Sequence, residues 1–200
     1  MAGGESRRFG SAKPLALLCG QTLAERLAGA LAGVVGRVVA VAPHSGSLAE
    51  TGLALVPDLL PGRGPLSGVH AALTAAREEG CRGVLAVACD LPLVPRELLR
   101  LLAAGAAAHP RPPLAPESRG PRGFEPLCAC WPVSSLDRLE AYLVDGGREA
   151  AAFFRESRGR LLPLSQVERI GDPEVIFLNV NTPADLERAR EALKQREPRR

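Results

Sequence analysis

The sequence predicts an α/β domain whose mostly parallel sheet is covered by helices on both faces. Short apolar runs rich in Val, such as residues 37–42 and 83–88, alternate with longer segments whose apolar residues recur at helical spacing. A parallel strand that is buried on both faces is a nearly continuous apolar run, and alternation with helices is typical of such sheets. The 200 residues fit one domain, spanning residues 1–200.

Helical spacing and helix-start signals predict the helices. In the first, Leu23, Leu27 and Leu31 share one face. The last has Thr182 or Asn181 as its N-cap and Pro183 at its first position, where proline is tolerated. The predicted helices cover residues 22–31, 67–79, 95–108, 134–144, 150–156 and 182–195.

Short apolar runs between these helices predict the strands. A Pro-rich stretch over residues 109–121 interrupts the alternation, and we expect it to be an exposed connection within the domain. In a parallel sheet, ligands bind beyond the carboxyl ends of the strands, so residues that follow a strand are the first candidates for a site. The predicted strands cover residues 37–42, 53–56, 83–88, 126–131 and 175–178.

Composition argues against several classes of protein. The net charge is only +3, and no run of Lys or Arg is interleaved with aromatic residues, so we expect no nucleic-acid partner. We interpret the Arg-rich residues 196–200 as a frayed terminus. No apolar stretch approaches the ~20 residues that span a bilayer, and no signal peptide is recognisable, so we expect a cytoplasmic protein without a membrane partner.

The five cysteines carry no recognisable metal motif. They form no CxxC pair, and no histidine stands at zinc-ligand spacing from them. Cys128 and Cys130 are predicted to share one face of a strand. We interpret the cysteines as small buried hydrophobes in a reducing compartment.

A glycine-rich segment over residues 2–13 is the first candidate site. Gly3 and Gly4 allow backbone N–H groups to approach an anion closely, while Arg8 and Lys13 supply positive charge for phosphate oxygens. Lysine occurs elsewhere only at Lys194, so its presence in this loop is informative. The alternative is a flexible N-terminal tail, but the Arg and Lys spacing favours phosphate binding.

Two further candidates lie in the middle of the chain. Residues 64–68, with the sequence Gly-Pro-Leu-Ser-Gly, open a predicted helix and would present free N–H donors, although an ordinary turn explains them too. Asp90 directly follows a buried strand, where one carboxylate with substrate phosphates and waters would suit Mg²⁺. The alternative for Asp90 is a cap on the following turn.

The last candidate is a pair of asparagines just beyond the predicted final strand. Asn179 and Asn181 are the only asparagines in the chain, and in an extended segment their side chains point to the same side. An N-cap role would explain Asn181 alone. The pair therefore indicates a polar site beyond the sheet.

The candidate segments, taken in order, resemble the molybdenum cofactor guanylyltransferase (MobA) family. That family's pattern runs L-A-G-G-x-S-x-R-M-G-x-D-K, G-P-L-x-G, C-D-x-P, x-P-L-x-A-x-Y and N-V-N-T-P. The chain matches it within residues 2–13, 64–68, 89–92, 125–131 and 179–183. Each match is weak alone, but five in family order over almost the whole chain are specific.

The resemblance implies a Rossmann-like three-layer nucleotidyltransferase fold and an Mg²⁺-dependent enzyme. The implied reaction transfers GMP from GTP to molybdopterin in its molybdenum cofactor form and releases pyrophosphate. Further implied partners are molybdoenzyme apo-proteins or chaperones.

The resemblance also implies roles for individual residues. Asp90 is the implied metal ligand and, with Lys13 and Arg8, the implied catalytic group; Asn179 and Asn181 are expected to orient the acceptor or metal-bound water. The implied nucleotide contacts are Met1, Ala2, Gly3, Gly4, Lys13, Asp58, Gly64, Pro65, Leu66, Gly68 and Asp90.

The chain departs from the family pattern at a few positions. Ala12 stands where the loop has Asp, Phe9 where it has Met, and Val41 falls near a family Asn that contacts the nucleotide. The family also has an apolar strand directly before the loop, for which Met1 leaves no room. We expect a missing or truncated N-terminal strand, from a shortened chain or a start site placed too late.

Three alternative functions remain at this stage. One is a related nucleotidyltransferase that uses another nucleotide or another phosphorylated acceptor. A second is a non-catalytic protein that binds the cofactor and delivers it to an apo-enzyme. An NAD-dependent oxidoreductase is disfavoured, because the G-x-G-x-x-G fingerprint and its acidic partner are missing.

Overall fold

The computed structural model describes residues 13–42, 51–109 and 111–196. Short 3₁₀ turns at Lys13–Leu15 and Val133–Ser135 accompany the regular elements. The strands are β1 (Leu17–Leu18), β2 (Gln21–Thr22), β3 (Val39–Ala42), β4 (Ala54–Pro57), β5 (Gly83–Val87), β6 (Leu114–Pro116), β7 (Cys128–Pro132) and β8 (Arg160–Leu162). The helices are α1 (Leu23–Leu31), α2 (Pro65–Glu78), α3 (Arg96–Ala108), α4 (Leu136–Val144), α5 (Ala150–Glu156), α6 (Leu164–Glu168), α7 (Pro173–Ile176) and α8 (Pro183–Arg196).

The central sheet has four strands in the order β5-β7-β6-β8. Strand β7 runs antiparallel to both β5 and β6, while β8 returns parallel to β6. A second, parallel pair joins β3 to β4, and β1 and β2 form a small antiparallel hairpin. The described sheets therefore combine parallel and antiparallel ladders.

Apolar side chains cover both faces of the central sheet, which gives three layers. On one face, Ala86, Ala129 and Trp131 pack against α2, α4 and α5. On the other, Val87, Cys128 and Cys130 pack against α3 and the short helices α6 and α7. Alternation along a strand sends neighbouring residues to opposite faces, so almost every strand residue is apolar.

Helix α2 links the parallel pair to the central sheet. It packs against β3, β4 and β5, and its Leu73 is fully buried. Val41 of β3 is also buried, in contact with Ala71 and Ala72 of α2. The side chain that stands near the family's nucleotide-contacting Asn is thus part of the core.

Most sequence-predicted elements are confirmed, with bounds that differ by a few residues. Strand β7 also confirms that Cys128 and Cys130 share a face. Burial raises the pKa of the Cys130 thiol to about 12, and it raises that of Cys128 further, so both thiols stay protonated as expected for structural cysteines.

Three sequence predictions are wrong. The cysteines are not all buried, since Cys19 and Cys81 are exposed and only Cys128 and Cys130 are buried. Residues 175–178 are not a strand, because Asp172 caps a helix with Pro173 in its first turn and this local signal overrides the apolar run. Residues 109–121 are not simply an exposed connection, since Leu114 and Ala115 are buried in β6, an interior strand. The sequence pattern did not predict this strand, because its prolines cannot donate hydrogen bonds to a neighbouring strand and therefore suggest a loop.

No helix in the described ranges is both long enough and apolar enough to cross a lipid bilayer.

Substitution Leu73→Ala tests the role of α2 as the link between the two sheets. Because Leu73 is fully buried, the cavity it leaves should lower the free energy of unfolding by about 2–5 kcal/mol. Substitution Leu101→Ala removes the same atoms from a side chain that is 37% exposed and serves as the control, with an expected loss below about 1 kcal/mol. Urea unfolding measures both; equal losses would contradict this packing.

Candidate active site

Three polar side chains from distant parts of the chain meet beyond the end of β5. The Lys13 ammonium donates a hydrogen bond to Asp90 Oδ2 at 3.1 Å and another to Asn181 Oδ1 at 2.6 Å. Lys13 and Asp90 are only 14% and 27% exposed, so water screens their ion pair less than it would on the surface. The structure thus brings together three of the residues that the sequence singled out.

Backbone contacts fix the segment that carries the asparagines beside Asp90. The Val180 amide donates to the Asp90 carbonyl oxygen at 2.8 Å, and the Val180 side chain is fully buried. Helix α8 then begins in a reciprocal cap: the Asp185 amide donates to Thr182 Oγ1 at 3.2 Å, and the Thr182 amide donates to Asp185 Oδ2 at 2.9 Å. Thr182 is therefore the cap, and the Asn181 side chain is left to bind Lys13.

The hydrogen bonds to Asp185 also lower the pKa of its carboxyl group. The Thr182 hydroxyl, the largest contributor, and the backbone amides of Asn181 and Thr182 hold the pKa of the Asp185 carboxyl below its usual value. Asp185 thus stays ionised and keeps the start of α8 in place beside the site.

Asp58 organises the loop that leads into α2. Its Oδ2 accepts a hydrogen bond from Ser67 Oγ at 2.7 Å, and its Oδ1 accepts one from the Leu60 amide at 3.0 Å. At the end of this loop Gly64 has φ +79, a conformation that other residues rarely adopt, and a Cβ there would lie 3.4 Å from the Arg148 carbonyl oxygen. The start of α2 is therefore fixed by its own loop and lies close to the segment before α5.

A cavity of about 330 Å³ lies beside the Lys13 cluster. Of the described candidate residues, Pro65, Asp90 and Asn179 line it, whereas Lys13, Asp58 and Asn181 do not. The full lining is Pro65, Ala88, Asp90, Leu91, Arg122, Glu125, Pro126, Leu127, Arg148, Glu149, Ala150, Ala151 and Asn179.

The remaining candidate residues are buried in α2, lie outside the described residues, or, in the case of Asn179, line the cavity. Leu66 and Gly68 are buried within α2, where Leu66 packs into the core. Met1, Ala2, Gly3, Gly4 and Arg8 lie outside the described residues. Asn179 lines the cavity, and its amide donates to the Phe177 carbonyl oxygen at 3.5 Å.

Sequence reasoning missed four charged residues of the cavity wall: Arg122, Glu125, Arg148 and Glu149. Arg122 and Arg148 each adjoin a glycine in a loop, and Glu125 fills the variable first position of the match to x-P-L-x-A-x-Y. Burial is the main cause that raises the pKa of the Glu125 carboxyl, opposed by the Ser118 hydroxyl and by Arg122. A charged residue beside a loop glycine was the available signal for Arg122 and Arg148, but it is too common to single them out, and Glu125 and Glu149 lack it.

Within the described ranges, no group of three or more His, Cys, Asp or Glu side chains could hold a metal ion. Asp90 lines the cavity in the loop after β5, and Asn179, Glu125 and Glu149 line it too. Such a donor set fits Mg²⁺, which is often bound by one or two carboxylates while substrate phosphates and water supply the other ligands.

Comparison with known proteins shows the family to which the chain belongs. Residues 1–161 match the family model described as MobA-like NTP transferase domain. The chain belongs to this family. It is therefore a nucleotidyltransferase, and the three-layer α/β fold is the one its relatives share.

Individual relatives extend the match to nearly the whole chain. A probable molybdenum cofactor guanylyltransferase from Pelotomaculum thermopropionicum is 35% identical over 95% of this chain and 89% of its own length. A molybdenum cofactor guanylyltransferase from Sinorhizobium fredii is 35% identical over 98% and 91%. The crystal structure of molybdopterin-guanine dinucleotide biosynthesis protein A from Archaeoglobus fulgidus superposes with a TM-score of 0.79 at 27% identity, covering 97% of this chain and 96% of that one.

Substitution Asp58→Ala tests the loop before α2. It removes the carboxylate that accepts hydrogen bonds from the Ser67 hydroxyl and the Leu60 amide, so the loop should lose its fixed shape. We therefore expect KM for the nucleotide to rise about tenfold, which corresponds to the loss of one hydrogen bond to a charged group. Asp145→Ala, at the exposed end of α4, is the matched control. Steady-state kinetics measure both; an unchanged KM in a folded Asp58→Ala protein would remove Asp58 from the nucleotide site.

Proposed function

We propose that this enzyme transfers GMP from GTP to the molybdenum cofactor, Mo-molybdopterin, in a reaction that depends on Mg²⁺ and releases pyrophosphate. The observation that carries the proposal is the convergence of Lys13, Asp90 and Asn181 beside the cavity. The names of the relatives, two of them molybdenum cofactor guanylyltransferases, support the choice of nucleotide and acceptor.

The chemistry needs no base to activate the acceptor. A phosphate monoester is largely dianionic at pH 7, because its second pKa is about 6. One of its oxygens forms a bond to the α-phosphorus of GTP, the bond from that phosphorus to the bridging oxygen breaks, and pyrophosphate leaves with the electron pair. No histidine is among the described residues that line the cavity, which is consistent with such a mechanism.

The task of the protein is then to position two anions and to offset their charge. Lys13, already between Asp90 and Asn181, provides a cation for phosphate oxygens. Arg8 and the backbone of residues 2–4 would add to this cradle. Asn179, on the cavity wall, would orient the acceptor phosphate.

Asp90 would hold Mg²⁺, and the metal when bound supplies charge neutralisation between phosphates. The Asp90 carboxylate binds the Lys13 ammonium, and this ion pair supports a cation at its position. Asp58 keeps the loop before α2 in shape for the nucleotide.

Pyrophosphate release tests the proposal directly. The purified protein is incubated with Mo-molybdopterin, Mg²⁺ and either GTP, ATP or CTP, and pyrophosphate is measured over time. We expect release with GTP at a much higher kcat/KM than with the other nucleotides. A preference for CTP or ATP would identify a related nucleotidyltransferase, and cofactor binding without any release would identify a delivery protein.

Substitution Asp90→Asn keeps the shape of the side chain and removes its charge. We expect turnover to fall at least ~10²-fold, the scale of losing a main electrostatic stabiliser. Asp137→Asn, at a carboxylate that is 88% exposed on α4, is the matched control and should retain full activity. Near wild-type guanylyl transfer by Asp90→Asn would refute its assignment as the metal ligand.

A further inference from the structure

One wall of the cavity is a hairpin loop whose residues have no role in the proposed reaction. It connects β6 to β7 and is closed by backbone pairing: a bridge joins Glu117 to Phe124, and the Ser118 amide donates to the Gly123 carbonyl oxygen at 2.9 Å. The Glu125 amide in turn donates to the Pro116 carbonyl oxygen at 3.0 Å. Glu125 therefore stands at a fixed point on the cavity wall.

The Glu125 side chain is also held in place, but only through one of its oxygens. The hydroxyl of Ser118, itself buried, donates to Glu125 Oε1 at 2.8 Å. A Cβ on Gly120 would lie 3.4 Å from both Oε1 and Ser118 Oγ, so this glycine lets the loop close over the pair. Within the described residues, Oε2 accepts no hydrogen bond, and the residue lines the cavity.

A carboxylate is a poor neighbour for a phosphate. Glu125 shares the cavity with Asp90, and the Asp90 carboxylate disfavours negative charge on Glu125. It therefore suits a part of the acceptor that carries hydrogen-bond donors and no negative charge. Two parallel N–H groups on a flat heterocycle match the two oxygens of a carboxylate, much as a guanidinium does.

We propose that Glu125, held by Ser118, is a specificity-determining residue that binds the amino and ring N–H edge of the pterin in the acceptor. This inference rests on the proposed function for the acceptor's identity. Of the described residues with implied nucleotide contacts, Pro65 and Asp90 line the cavity, whereas Lys13, Asp58, Gly64, Leu66 and Gly68 do not. Asn179, to which the proposed function gives the acceptor phosphate, lines the cavity together with Glu125, and this favours the pterin edge over the guanine base.

The test compares two fluorescent pteridines, pterin and lumazine. Lumazine carries a carbonyl oxygen where pterin has its amino group, so it presents an acceptor to the carboxylate. Equilibrium titration with the full-length protein should show wild type binding pterin at least about tenfold more tightly than lumazine, the scale of a hydrogen bond to a charged group. Glu125→Gln should abolish this preference, and Ser118→Ala should reduce it.

Controls separate this role from a general effect on the fold or on the nucleotide. Glu156→Gln makes the same chemical change on the exposed end of α5 and should keep the preference. KM for GTP should be unchanged in Glu125→Gln. A rise in KM for GTP with an unchanged pterin preference would place the carboxylate at the guanine base and overturn the proposal. The proposal would also be overturned if the wild-type protein bound no pterin at concentrations up to about 1 mM.

The two proposals can fail separately. Guanylyl transfer by wild type, combined with an unaltered pterin preference in a folded Glu125→Gln protein, overturns the role of Glu125 and leaves the proposed function standing. Conversely, a pterin preference that depends on Glu125, in a protein that releases no pyrophosphate from GTP and Mo-molybdopterin, supports the role of Glu125 and overturns the proposed reaction.

Discussion

The ion pair between Lys13 and Asp90, shared with Asn181, is the interaction on which the site depends. It joins residues separated by 77 and 168 positions along the chain, so it forms only when the sheet, the loop after β5 and the start of α8 are all in place. In the proposed reaction, the Lys13 ammonium that pairs with Asp90 would also bind phosphate oxygens of the nucleotide. Positive charge is thereby kept at the place where the proposed reaction concentrates negative charge.

The fold supplies this arrangement through packing at a distance. Helix α2 couples the β3–β4 pair to the central sheet, and the buried Val180 fixes the asparagine segment against the Asp90 carbonyl. The capping contacts between Thr182 and Asp185 leave Asn181 available for Lys13. Rigid supports of this kind suit a mechanism that works by positioning two anions.

The sequence predicted the residues whose chemistry is unusual for their position. An acidic residue at a strand end, scarce asparagines and a scarce lysine were visible without the fold, and the structure brings Lys13, Asp90 and Asn181 together. The sequence alone could not reveal Glu125. Its proposed role depends on the hydrogen bond from Ser118 and on a cavity wall that forms only when the hairpin folds. Strand β6 was hidden for a related reason: its prolines suggest a loop, while the amides of Glu117 and Arg160 complete the pairing with β8.

The most direct test of this account is the rate of pyrophosphate release by Lys13→Ala, compared with Lys194→Ala. These are the only two lysines in the chain, and Lys194 is an exposed residue of α8. We expect Lys13→Ala to lose at least ~10²-fold in kcat/KM for GTP, because the cation beside Asp90 is gone, while Lys194→Ala keeps wild-type kinetics. Equal activity of the two variants, both folded, would contradict the central role of the Lys13 cluster.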